Sequence, residues 1–435
     1  MRRPLAVLLF AVFVDRLDFG VLIPVLPLLL ADPSSPYYLL DGPESLDTGY
    51  VLLGLVGAAY AVSAFLAAPV LGQLADRYGR KPLLVVAFTG SALSYVLFGL
   101  GIVWESVPLL FVSRFVDGVT GGNVLVAQSA LADLSEPEDR ARTFGYFSAM
   151  LSLGFVFGPL AGGLLADPEI VSWFTPSLPF WIAAGLGLAN VALIAAYFEE
   201  TLEEPQEGEV TAGLAFRRVR EAFERPALRA AYLTEFLFIA GFTFFTTFFN
   251  VLLVERLGYD QSDIGLFFTA LGSGFFVVQL FLVEPVRGWL GAVWTLRVAL
   301  FGIAGTITLT AFVQETWQLY ALVPLFALTN GLVGPNLAAL VSRRASGAEQ
   351  GRVLGIRSSV QSLGRSGPPF LAGPLAAAGS AATPILVGGG LAAVAAAAFT
   401  ALVRPGDVSD DSEPDEPDDS DPTDDEPTRS RASAE

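Results

Sequence analysis

The chain has 435 residues and contains neither cysteine nor histidine. Without cysteine there is no disulfide framework, thiolate nucleophile or cysteine zinc site, and without histidine the usual zinc and haem ligands are missing too. Histidine is also the side chain whose ordinary pKa lies near neutrality. Any proton carried inside this protein must therefore ride on a carboxylate. Lysine is nearly absent: Lys81 is the one lysine among 25 basic residues. No P-loop occurs, so nothing points to ATP as an energy source. With no nucleophile–base or metal constellation visible, no enzymatic activity, cofactor, metal or nucleic-acid partner is expected.

What is plentiful is apolar surface. Hydrophobic residues make up 53% of the chain, and the mean hydropathy is +0.58. The apolar residues fall in repeated runs of about 20, each long enough to cross a bilayer as a helix. Helices satisfy their own backbone hydrogen bonds, which lipid cannot do for them. The fold class expected is all-α polytopic, with about twelve transmembrane helices. The net charge of −18 divides unevenly, because thirteen acids and two arginines lie from Gly406 onward. An acid-rich, lysine-poor surface suits solvation in strong salt, so a halophilic source is expected.

The opening MRRPLAVLLFAVFV resembles a signal peptide but lacks a small-residue cleavage site, and it reads as a retained first span. Asp15, Arg16 and Asp18 stand halfway along it, where charge is costly unless it faces a cavity or a partner. The expected organisation is a six-helix bundle over 1–198, a cytoplasmic connector over 199–228, a second six-helix bundle over 229–404 and a disordered acidic tail over 405–435. Basic residues fall at 2–3, 77–81, 140–142, 217–229, 287, 343–352 and 404, all in segments placed inside. The outer segments hold only Arg256. That asymmetry implies a multi-pass protein of the cell membrane with both termini cytoplasmic.

The two halves repeat. RTFGYFSAMLSLGFVFGPLAGG from Arg142 aligns with RVLGIRSSVQSLGRSGPPFLAG from Arg352 at a constant offset, matching Arg142/Arg352, Gly145/Gly355, Gly154/Gly364, Pro159/Pro369 and Gly163/Gly373. Shared leucine and alanine would be generic in apolar helices. Shared glycines, prolines and an arginine in register indicate two pseudo-symmetric halves of six spans each.

Between the second and third runs stands GQLADRYGRKP, with Gly72, Asp76, Arg77, Gly79, Arg80 and Lys81. This pattern resembles the loop 2–3 signature of the major facilitator superfamily. Further elements are similar to its 12-span drug/proton antiporters, the tetracycline-efflux branch above all. Asp15 precedes the Pro-Val-Leu-Pro of 24–27 at that branch's spacing. Arg114 and Gly118 match its Arg-x-x-x-Gly element, and Gly154, Gly158, Pro159, Gly162 and Gly163 resemble the antiporter motif. The likeness is weaker in the second half, where VEPVRGWLGA has lost most of the charged loop pattern.

The resemblance implies a secondary active transporter: a proton-coupled antiporter exporting small lipophilic or drug-like compounds by alternating access, monomeric, with sodium as the alternative coupling ion. It implies that Asp76 latches onto the start of span 11, with Arg352 and Arg357 as candidate partners. Asp15, Asp18, Arg114 and Asp117 are the candidate proton-coupling residues, Asp117 standing where the family has an amide or a small residue. Asn123, Glu235, Phe242, Asn330, Asn336, Gln361 and Arg365 are candidates for the substrate cavity. Each has a plainer role to set beside it: a glycine-rich span packs tightly, an Asp–Arg network can be purely structural, and a phenylalanine stripe at helical spacing is usually packing or lipid surface. Two other readings stay open, a facilitator-fold importer of a metabolite or organic anion anchored by Arg365, and a non-transporting sensor or scaffold.

Overall fold

The computed structural model describes residues 3–40, 45–136, 138–202, 210–211, 213–343 and 349–403. The acidic tail and residues 203–209 and 212 of the connector lie outside these. Among the described residues the regular structure is helical, without strands. The first half comprises α1 (Arg3–Leu30), α2 (Ser45–Tyr78), α3 (Arg80–Val103), α4 (Val107–Thr120), α5 (Asn123–Asp133), α6 (Arg140–Leu165) and α7 (Leu178–Tyr197). Helix α8 (Leu214–Glu224) lies in the connector. The second half comprises α9 (Pro226–Leu257), α10 (Gln261–Phe281), α11 (Val283–Leu290), α12 (Ala292–Thr310), α13 (Thr316–Arg343), α14 (Gln350–Ser366), α15 (Pro368–Ala377) and α16 (Ala382–Leu402).

Ten helical segments among the described residues are long and apolar enough to cross a membrane. The other two expected spans depart for identifiable reasons. Helix α1 is 28 residues long, but Asp15, Arg16 and Asp18 interrupt its apolar run. The eleventh span is broken at Gly367 into α14 and α15, since Pro368 and Pro369 can open a helix but cannot continue one. Span 4 bends at Gly121 and Gly122, between α4 and α5. All six tryptophans stand at or near helix ends, as interfacial anchors do: Trp104, Trp173, Trp181 and Trp317 at one end of the molecule, Trp289 and Trp294 at the other.

Within the first half α1 packs on α6, α3 on α7 and α2 on α4; within the second, α9 and α12 both pack on α16. Helices α1 and α6 approach closely, and a Cβ added to Gly158 would lie 2.5 Å from the Leu17 carbonyl and 2.8 Å from Gly20 Cα. Glycine, lacking a side chain, lets two backbones come so near.

The halves meet along two seams, α2 with α15 and α6 with α10. Both seams concentrate at the end of the molecule opposite loop 72–82. A Cβ on Gly373 would lie 2.6 Å from the Tyr50 carbonyl, and one on Gly54 2.5 Å from the Pro369 carbonyl. Hydrogen bonds from Ser262 to Asp167 (2.6 Å), Tyr50 to Glu255 (3.2 Å) and Asn250 to the Ile23 carbonyl (3.2 Å) close the same end. Towards loop 72–82 the packing loosens. A cavity of about 120 Å³ separates Gly72, Gln73 and Asp76 of α2 from Ser358, Ser359 and Ser362 of α14.

Candidate functional site

Polar groups gather midway along the spans, in two networks. In the first half, Arg114 is almost wholly buried and binds Asp117 on its own helix face at 3.0 Å. Three residues apart, the two side chains meet without any tertiary help. The guanidinium also donates to Ser94 Oγ at 3.3 Å and lies 5.0 Å from the centre of the Phe98 ring. Beside this pair, Asp15 accepts a short hydrogen bond from the Asn123 amide, at the bend of span 4. Arg16 stands 3.9 Å from Asp15, too far for a hydrogen bond. Asp18 is buried, with one carboxylate oxygen lacking any partner among the described residues.

Among the described residues Arg114 is not bound to the span 1 acids. Asp117, the residue that departs from the family pattern, occupies the arginine instead. Asn123 is what joins span 1 to span 4.

In the second half, buried Glu235 receives Arg357 through two nitrogens, at 2.9 and 2.7 Å, and the Gln361 amide at 2.6 Å. Arg357 also donates to the Gly334 carbonyl at 3.2 Å. Asn336 is buried and donates to the Leu332 carbonyl of its own helix at 2.7 Å, while Asn330 is half-buried. Phe242 joins Phe238, Phe245 and Phe326 in an aromatic cluster. The span 7 stripe is thus interior packing, not lipid surface, since Phe238, Phe245 and Phe249 are all buried. Arg365 is exposed in the last turn of α14, next to the helix break.

The loop 2–3 residues form a third site. Gly79 adopts φ +106°, a conformation that disfavours any side chain. This turn aims the first free N–H groups of α3 outward, and Glu200 receives them: Arg80 N at 2.8 Å and Lys81 N at 3.1 Å. Partial burial works against the Glu200 charge, but the N–H donors of Leu202, Arg80, Lys81 and Thr201 outweigh it and hold the carboxyl below its ordinary pKa. Asp76 pairs with Arg80, and Arg80 reaches on to Asp133 at 3.3 Å. Arg77 lies 5.4 Å from the ring centre of Tyr78.

The candidate partners of Asp76 are elsewhere. Arg352 pairs with Glu221 of α8 at 2.8 Å, and Arg357 with Glu235. Asp76 faces α14 across the small cavity without an ion pair to it. Asp133 and Glu200 escaped the sequence reading, because no local pattern tells an acid at a span end that it will face loop 72–82.

The span 5 motif lies wholly against neighbouring backbones. An added Cβ on Gly154 would lie 2.5 Å from the Arg16 Cβ, and one on Gly162 2.5 Å from the Val21 carbonyl. Pro159 adjoins Gly20, and Gly163 faces Gln261 and Gly265 of the other half.

The sequence profile of the Major Facilitator Superfamily matches residues 8–365 and, again, 232–429. The chain belongs to that superfamily. It is accordingly a multi-pass membrane transporter of small molecules, not an enzyme. Among curated proteins it is similar to the tetracycline resistance protein, class C, of Escherichia coli: 29% identical over 421 residues, covering 92% of this chain and 95% of that one. Multidrug resistance protein 1 of Bacillus subtilis is 26% identical over 377 residues, covering 85% and 89%. In fold it resembles the crystal structure of the human organic anion transporter MFSD10, with TM-score 0.67 at 23% identity, covering 91% of this chain and 99% of that one. The two polar networks lie one in each half of this chain.

Proposed function

We propose that this transporter exports small drug-like compounds in exchange for protons, alternating access between its two halves in the cell membrane, with both termini cytoplasmic. The names of its relatives, for tetracycline and multidrug resistance, support export. The observation that carries proton coupling is the pair of span 1 carboxylates. Asp15 is held by a neutral amide, with Arg16 at the edge of ion-pair distance at 3.9 Å, and among the described residues Asp18 has a buried oxygen with no partner. Burying an unpaired carboxylate is costly, and taking up a proton removes that cost. With histidine absent, these acids are the protonation sites this half offers beside the Asp117–Arg114 pair. With loop 72–82 cytoplasmic, the tight seams close the outer side, and the structure corresponds to an inward-facing state.

The test is flux in proteoliposomes with an imposed pH gradient. Asp15→Asn is expected to abolish uphill accumulation while leaving downhill movement of substrate in place. Uphill flux at the native rate in that variant would move the coupling role to Asp18, Asp117 or Glu235. Inward-directed uphill flux by the native chain would instead favour the importer reading.

A further inference from the structure

We propose that the transported compound carries an anionic group and that Arg365, in the second half, is its anchor, with Arg16 of the first half adding to the positive field. This rests on the transporter reading and names the chemistry of its cargo. Two arginines inside the spans are already satisfied. Arg114 is bound to Asp117, and Arg357 to Glu235. Glu235 has its oxygens filled by Arg357 and Gln361, leaving no lone carboxylate for a second arginine. Arg365 has no hydrogen bond or ion pair among the described residues, yet it sits deep within the eleventh span. A guanidinium at such depth is costly without a partner.

Its surroundings explain how it is held without one. Arg365 occupies the last turn of α14, whose free carbonyls favour a cation. The break at Gly367 and Pro368 keeps that turn open within the membrane, the kind of discontinuity from which transporters build binding sites. The side chain is exposed, and Arg16 and Tyr60 of the first half are among the groups that act on it, so it faces the other half. Arg16, one third exposed and beyond hydrogen-bond distance of Asp15, acts on Arg365 as a like charge. Two arginines from opposite halves repel, and an anion between them relieves both. Carboxylate or sulfonate suits a guanidinium fork, which can donate two parallel hydrogen bonds. Because Arg365 is on the second half and the span 1 acids are on the first, anion and proton occupy different halves. Their coupling then runs through the rocking motion, without competition for one group.

The experiment measures binding to the full chain in lipid nanodiscs, using 2-naphthoate, indole-3-acetate and benzoate, each against its uncharged methyl ester. At least one acid is expected to bind about tenfold or more tightly than its ester. Arg365→Gln is expected to erase that gap, and Arg365→Lys, which keeps the charge, to retain part of it. Thermal denaturation of each variant separates binding from folding. If Arg365 were only a structural countercharge, Arg365→Gln would lower the melting temperature and leave the acid–ester gap intact, and the proposal would fall. It falls as well if no acid outbinds its ester in the native chain. A clear acid preference without uphill flux under a pH gradient would keep this site and remove proton antiport.

Discussion

The two seams between the halves make a sharp prediction, because clashes of similar size occur inside one half and between the two. Gly373→Ala would place a methyl 2.6 Å from the Tyr50 carbonyl and 2.8 Å from Val51 Cα, on the other half. Gly158→Ala would place one 2.5 Å from the Leu17 carbonyl and 2.8 Å from Gly20 Cα, within the first half. Relieving either contact needs a backbone shift, and overpacking of this kind costs about 1–3 kcal/mol. For Gly158 the only escape is to loosen the six-helix bundle itself, so the cost appears as lost stability. For Gly373 the halves can part at that end, so the cost appears as a shift between conformations. An energy of about 1–3 kcal/mol changes a two-state ratio by roughly 5–150-fold. The chain contains no cysteine, so thiols introduced at Ser172 and Gln314, both exposed at the sealed end, are the only ones to label. Distances between spin labels there should lengthen in Gly373→Ala and stay native in Gly158→Ala, whereas the melting temperature should fall mainly in Gly158→Ala. An unchanged distance distribution in Gly373→Ala, or equal thermal losses in the two variants, would refute the reasoning.

Other consequences are open to direct measurement. Glu200→Ala removes the acceptor for two N–H groups at the start of α3, which is worth about 1 kcal/mol for a helix cap, and it should raise amide exchange at residues 80 and 81. Because the Glu200 pKa is lowered on folding, its contribution is present above the ordinary glutamate range, near roughly pH 4.3, and is lost as pH falls through the folded value. Protection at those amides should therefore hold from pH 8 to 5 and fall only in stronger acid; loss already at pH 6 would contradict this. Glu235→Ala leaves the half-buried Arg357 without its counterion, a loss at or below the lower end of the roughly 3–5 kcal/mol for a fully buried pair. The double variant Glu235→Leu with Arg357→Met should recover most of that stability in chemical unfolding. A double variant no more stable than Glu235→Ala would show that the pair does not set the cost.

Membrane architecture was legible in the residues because lipid imposes a one-dimensional rule: apolar runs of sufficient length, flanked by charge, become helices. The duplicated glycines and prolines at constant offset likewise revealed two related halves before any contact was known. Local partners followed the same logic, since Arg114 and Asp117 share a helix face by spacing alone. Which distant groups meet was decided only by tertiary packing. Nothing near Glu200 announces that it will cap α3, and nothing near Asn123 announces its bond to Asp15. Asp76 illustrates the limit: its position in the loop was evident, but its partner turned out to be Arg80, four residues on, because α8 and span 7 had already engaged Arg352 and Arg357. Arg365 shows the converse. Its depth could be read from the chain, whereas its lack of a partner emerged only once Glu235 was seen to be taken by Arg357 and Gln361. Sequence sets which groups must avoid lipid, and packing geometry alone sets which of them are left unpaired.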